Sequence, residues 1–133
     1  MLAAVADTHT AIWYLFGSDA LSEIAKQTIE EAAKDGFNVG VSALSLAEIV
    51  YLSEKQRISS ETLRRLTDTL ANPEAVLTEI PLDSQIVKSM QDIPRADIPD
   101  LPDRVIAATG LYFDVPVITR DAKIQAADVK TIW

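Results

Sequence analysis

The chain has 133 residues, 48% of them hydrophobic, which is enough to bury a core in one domain and too apolar for a disordered segment. Its 20 acidic and 12 basic residues leave a net charge of −8, which argues against a general nucleic-acid binder with a basic footprint. The lack of cysteine excludes a disulfide framework and a thiolate metal site. With no basic leader region and no stretch long enough to span a bilayer, a soluble, cytoplasmic protein is expected.

Residues 2–6 form an unbroken apolar run, as in a strand buried on both faces, closed by Asp7. Residues 8–16 are apolar enough for a helix, ended by Gly17. Leu21, Ile24, Ala25, Ile29 and Ala32 recur at helical spacing, with Ser18 or Asp19 as N-cap and Gly36 as the stop. A second strand is expected at 38–41 and a helix at 43–54. Leu63, Leu66 and Leu70 mark another helix, capped by Ser59 or Ser60 and closed before Pro73. Residues 76–80 read as a third strand. Asp83 begins a short helix with Ile86, Val87 and Met90 on one face. Residues 91–102 hold three prolines and three aspartates and read as a loop, after which Asp103 opens a helix to about Tyr112. Strands at 115–119 and 129–133 flank a helical turn at 121–127. With no repeat and no dividing linker, this alternation predicts a single α/β domain over 1–133, built around a parallel sheet.

Open parallel sheets bind ligands beyond the carboxyl ends of their strands, near the point where strand order reverses. Asp7 directly follows the first strand, Asp121 follows the fourth by two residues, and Asp103 opens the helix before that fourth strand. These three carboxylates thus have a topological reason to meet. Each also has a plain structural alternative, since Asp is a favoured N-cap. Capping gives no reason for a fourth acid at Glu48. Leu44 and Leu52 lie one turn to either side of Glu48 and share its face, and a carboxylate buried on an apolar face must be partnered or bind metal. The alternative is a core face of Leu46, Ile49 and Val50 that leaves Glu48 at a solvated edge. Four carboxylates suit Mg²⁺ or Mn²⁺, hard cations that prefer oxygen. If the four share one site, their mutual repulsion should raise the pKa of at least one.

The segments Ala6-Asp7-Thr8-His9-Thr10-Ala11-Ile12-Trp13, Val41-Ser42-Ala43-Leu44-Ser45-Leu46-Ala47-Glu48-Ile49, Leu101-Pro102-Asp103-Arg104-Val105-Ile106-Ala107-Ala108 and Val117-Ile118-Thr119-Arg120-Asp121 resemble, in order, the four signature regions of PIN domains. The resemblance is nearest to the VapC-like toxins of bacterial toxin–antitoxin pairs. It implies a five-stranded parallel sheet of order 3-2-1-4-5 with helices on both faces. It also implies metal-dependent endoribonuclease activity on RNA, a homodimer, and an antitoxin partner that blocks the site. By motif position, Asp7, Glu48, Asp103 and Asp121 match the metal-site acids, Asp100 an accessory acid, and Thr119 a hydroxyl residue that orients the site. Two features depart from the pattern: Pro102 stands where an aromatic residue often precedes the third acid, and the chain is unusually acidic for an RNA-cleaving protein.

Other residues carry two readings each. His9, the one histidine, belongs either to the site or to packing of the first helix. Trp13, Tyr14 and Phe16 read as core or dimer contacts, with base stacking as the alternative. Arg104 and Arg120 adjoin proposed acids and either clamp phosphate or balance charge. Lys55, Arg57, Arg64 and Arg65 make the one basic-leaning stretch, an RNA-backbone contact or a solvated face. Competing acidic phosphate enzymes fit poorly. Haloacid-dehalogenase-like phosphatases need Asp-x-Asp where this chain has Asp7-Thr8-His9, and response-regulator receivers need an acidic pair that is missing before Asp7. A catalytically silent PIN-fold binding module is the remaining alternative.

Overall fold

The computed structural model describes residues 1–133. In chain order the elements are β1 (Leu2–Ala6), α1 (Thr8–Leu15), α2 (Glu23–Lys34), β2 (Asn38–Ser42), α3 (Ala43–Glu54), α4 (Thr62–Ala71), β3 (Leu77–Ile80) and α5 (Ser84–Ser89). A 3₁₀ turn, Met90–Asp92, precedes α6 (Leu101–Phe113), β4 (Val117–Ile118), α7 (Ala122–Ala126) and β5 (Thr131–Ile132). All strand pairs are parallel, and the sheet order is β3-β2-β1-β4-β5, the order that the resemblance implies. No helix is long and apolar enough to cross a membrane.

Successive residues of a strand face opposite sides of its sheet. In β1, Ala4 and Ala6 enter one core with Ala11, Ile29, Ile49 and Leu66, while Val5 enters a second core with Ile86, Ile106 and Ile124. In β4, Ile118 joins the first core and Val117 the second. The sheet is therefore covered on both faces, by α1–α4 on one and α5–α7 on the other, which is why its strands read as continuous apolar runs. Gly110 brings α6 onto the sheet. A Cβ there would lie 2.6 Å from Cγ2 of Val117, so a larger residue would push the helix off β4.

The chain builds β2 and β3 on one side of β1, then returns to build β4 and β5 on the other. The reversal lies between β1 and β4, whose carboxyl ends lead into Asp7 and into Thr119–Asp121. This is the crevice that open parallel sheets offer to ligands.

Several local expectations are corrected. The N-cap of α2 is Ser22, which accepts from Ala25 N, while the Ser18 hydroxyl accepts from Ala20 N in the preceding turn. Helix α4 starts after Glu61, and Ser59 serves a local turn by accepting from Glu61 N. On α5, Ile86 is buried but Val87 faces solvent. Helix α6 begins two residues earlier than expected, with Asp100 as its N-cap and Asp103 inside its first turn. A proline in the first turn of a helix loses no intrahelical hydrogen bond, so Pro102 belongs to α6 rather than to the loop.

Candidate active site

Asp7 is the N-cap of α1: its Oδ1 accepts from Thr10 N at 2.9 Å. Its Oδ2 accepts from the Thr119 hydroxyl at 2.5 Å, and that hydroxyl accepts in turn from Asp121 N at 2.9 Å. One buried threonine at the end of β4 thus joins the acid that follows β1 to the acid that precedes α7. The Thr10 hydroxyl donates to Ile118 O and ties α1 to β4 beneath this junction. Asp121 caps α7, with Oδ1 accepting from Lys123 N and Ile124 N at 2.9 and 3.0 Å. Capping and a place in the site are compatible, because each carboxylate keeps oxygen lone pairs beyond those the cap uses.

Glu48 sits on α3, where Ser45 and Ile49 are the buried positions and Glu48 is half-buried. The core face is therefore close to the second of the two expected, with Ile49 in the core and Leu46 packed against it, and it extends to Ser45, which leaves Glu48 at its edge. The Thr8 hydroxyl lies 2.5 Å from Glu48 Oε1 and 2.9 Å from Ser45 Oγ. Thr8 thereby does for Glu48 what Thr119 does for Asp7. Neither Thr8 nor Ser45 was singled out from the sequence. The available signals are a hydroxyl directly after the first acid and another one helical turn before the second.

Asp7, Glu48, Asp103 and Asp121 line one pocket of about 190 Å³, together with Thr8, His9, Trp13 and Arg120. Asp103 is half-buried there, and its carboxyl is pushed up to about 7. Burial is the largest cause, followed by the negative charges of Asp100, Asp121, Glu48 and Asp7. The mutual repulsion expected from the sequence contributes to this shift, second to burial. No ion pair relieves it: the ion pairs of the chain are Arg64 with Glu61 and Asp68, and Lys130 with Asp114.

Asp100, the accessory acid, is exposed, caps α6 through Asp103 N, and does not line the pocket. Arg104 turns away from the carboxylates and donates to the carbonyls of Ile93 and Met90, anchoring the segment before α6. Arg120 lines the pocket, with its guanidinium carbon 4.7 Å from the ring centre of Trp13. In the basic-leaning stretch, Arg64 is held by Glu61 and Asp68, and Arg65 lies over Phe16 at 4.3 Å. Lys55 and Arg57 are exposed with neither an ion pair nor an aromatic partner.

The donor set is all oxygen. Glu48 Oε2, Asp121 Oδ2 and both side-chain oxygens of Asp103 accept no hydrogen bond within the protein. No three of the acids are gathered closely enough to enclose a common point. The residues fit a hard divalent cation that keeps several of its own waters and takes few protein ligands, rather than a closed protein cage.

The family model for the PIN domain matches residues 4–130 of the chain. Ribonuclease VapC22 of Mycobacterium tuberculosis is 26% identical over 126 residues, 95% of this chain and 92% of that protein. Among solved structures, VapBC2 from Rickettsia felis, bound to a DNA fragment from its promoter, superposes with a TM-score of 0.70. It is 15% identical over 98% of this chain and 97% of that one. A toxin–antitoxin complex from Klebsiella pneumoniae gives 0.64 at 22% identity, covering 98% and 96%. FitAcB from Neisseria gonorrhoeae gives 0.62 at 20% identity, covering 96% and 95%. These structural likenesses show a shared fold.

Proposed function

The chain belongs to the PIN domain family, and from that premise we propose that it is a metal-dependent endoribonuclease that hydrolyses RNA phosphodiester bonds as the toxin of a toxin–antitoxin pair. The observation that carries this reading is the convergence of Asp7, Glu48, Asp103 and Asp121 on one pocket at the carboxyl edge of the sheet, with no cation of the chain paired to them. The name of the mycobacterial relative and the toxin–antitoxin complexes among the fold neighbours support the same role.

In this reading Asp7, Glu48, Asp103 and Asp121 surround the site of Mg²⁺ or Mn²⁺, which would take few of these carboxylates as direct ligands and meet the others through its own waters. Such an ion, when bound, supplies an activated water at neutral pH and neutralises charge on the departing oxygen. The chain's own contribution is orientation. Thr119 and Thr10 N fix the two oxygens of Asp7, Thr8 fixes Glu48, and the first turn of α7 fixes Asp121. Partners of this kind, one shell out from the ligands, set affinity and activity by about 10–100-fold.

The partner that fits a net charge of −8 is basic. We assign that role to a cognate antitoxin that offers a cation, an arginine, to the acidic pocket, with the toxin acting as a homodimer in the cytoplasm. The test is cleavage of a panel of small RNAs with Mg²⁺, Mn²⁺ or EDTA, together with co-expression with the adjacent reading frame. Cleavage that survives chelation would overturn the metal mechanism. RNA left intact with every metal, alongside a stable complex with the adjacent gene product, would favour the silent binding module.

A further inference from the structure

Three residues lining the acidic pocket are neither acids nor the hydroxyl that orients one: His9, Trp13 and Arg120. Trp13 is half-buried and packed against the core on the α1–α4 side, with its ring 5.9 Å from that of Trp133. His9 and Arg120 are exposed. The His9 ring lies 5.5 Å from Trp13 at 47°, and the Arg120 guanidinium carbon lies 4.7 Å from the indole centre. None of the three side chains hydrogen-bonds within the protein. Arg120 adjoins Asp121 in a pocket of carboxylates, yet it forms no ion pair and rests on the indole instead.

Planar groups with unspent donors on an anchored indole are what a nucleobase stacks on. Base–aromatic and base–guanidinium stacking serve unpaired bases, because the faces of a base within a duplex are already covered by its neighbours. From this geometry, and resting on the ribonuclease reading above, we infer that His9, Trp13 and Arg120 form a subsite for one unpaired nucleobase of the RNA flanking the cleaved phosphodiester. The charge pattern favours this source of affinity. A net charge of −8 opposes phosphate binding overall, and Arg64 and Arg104 are already engaged within the protein. Stacking needs no counterion release, so its contribution survives added salt better than phosphate contacts do.

The chain has two tryptophans, so Trp133→Phe leaves Trp13 as the sole reporter. In a Glu48→Gln, Trp133→Phe protein with Mn²⁺, a short single-stranded RNA should quench Trp13 fluorescence, and the same sequence as a duplex should not. With labelled RNA, Trp13→Ala and Arg120→Ala should each weaken binding by about tenfold, the scale of one lost base stack, while Trp13→Phe keeps most of the affinity. Removing one base beside the cleavage position should cost the parent about tenfold and cost Trp13→Ala nothing further. The abasic change is made on the RNA, so it decides the matter for the parent whether or not Trp13→Ala folds. RNA that is bound and cleaved with no quenching, and with no loss on removal of any flanking base, overturns the subsite and leaves the nuclease reading standing. A parent that neither binds nor cleaves any RNA overturns both.

Discussion

The Thr119 hydroxyl donates to Asp7 Oδ2 at 2.5 Å while accepting from Asp121 N at 2.9 Å, so one buried oxygen sets the spacing of two acids that lie far apart in the sequence. Thr119→Val keeps the shape but leaves a carboxylate oxygen and a backbone N–H without their partner. Losing a hydrogen bond to a charged group costs about 1.5–3 kcal/mol. We expect a melting temperature lower by several degrees and RNA cleavage lower by about 10–100-fold. Thr119→Ser, which retains the hydroxyl, should recover most of both. A valine variant with parental melting and parental rate would reduce Thr119 to a bystander.

Glu48 offers a cleaner separation of charge from shape. Glu48→Gln preserves volume, and the amide oxygen can still accept from Thr8, so the contact between α1 and α3 should persist. The negative charge is lost. Cleavage should fall by roughly 100-fold or more, at least the effect of losing an outer-shell partner, with the melting temperature of the metal-free protein unchanged or raised. Thr8→Val should give an intermediate rate by freeing the Glu48 side chain. A fully active Glu48→Gln protein would move Glu48 to a structural role.

The raised carboxyl of Asp103 ties stability to pH. Its pKa is about 7 in the folded chain against 3.8 ordinarily. The folded protein thus holds a proton that the unfolded chain has released. That stabilising share is complete below the unfolded value and is lost as pH rises through 3.8 towards about 7, after which it stays lost. Melting of the metal-free protein between about pH 4 and about pH 8 should show a fall in stability that Asp103→Asn flattens. Parallel curves for parent and variant would mean that Asp103 does not carry the repulsion of the pocket.

The strand order, with its reversal at β1, was carried only by the motif resemblance, whereas the strands themselves were legible because both faces of the sheet are covered, which writes them as apolar runs closed by polar residues. Asp7 and Asp121 were placed by that same logic. Aspartate caps were legible in place, since Asp7, Asp83 and Asp121 stand where the sequence opens a helix, but serine caps were legible only in type. A serine hydroxyl that serves a turn, as Ser18 and Ser59 do, has the same local signature as one that caps a helix, as Ser22 does. The face that Glu48 presents was not legible, because its partner Thr8 is 40 residues away and no periodicity encodes that contact. Arg104 and Arg120 each adjoin an acid in sequence. One holds backbone carbonyls and the other an indole, a difference set by the loop before α6 and by packing at Trp13.

The sharpest discrimination between capping and a shared site comes from melting with and without metal. Asp121 caps α7 through Oδ1, and asparagine caps nearly as well as aspartate, so a purely structural Asp121 predicts little change in Asp121→Asn. A shared site predicts otherwise. Asp121 is one of the charges that raise the Asp103 carboxyl, so removing it relieves repulsion in the metal-free protein. We expect Asp121→Asn and Asp103→Asn to melt above the parent in EDTA at about pH 8, above the raised value of Asp103. Millimolar Mn²⁺ should raise the parent by mass action, by roughly 2.7 kcal/mol when the ion stands at about 100 times its Kd, and should raise either variant much less. The order of stabilities then inverts: variants above the parent without metal, parent level with or above the variants with it. Differential scanning calorimetry of the three proteins under both conditions reads this directly. A parent insensitive to Mn²⁺, with both variants melting at or below it in EDTA, would show that these carboxylates are independent caps and not one site.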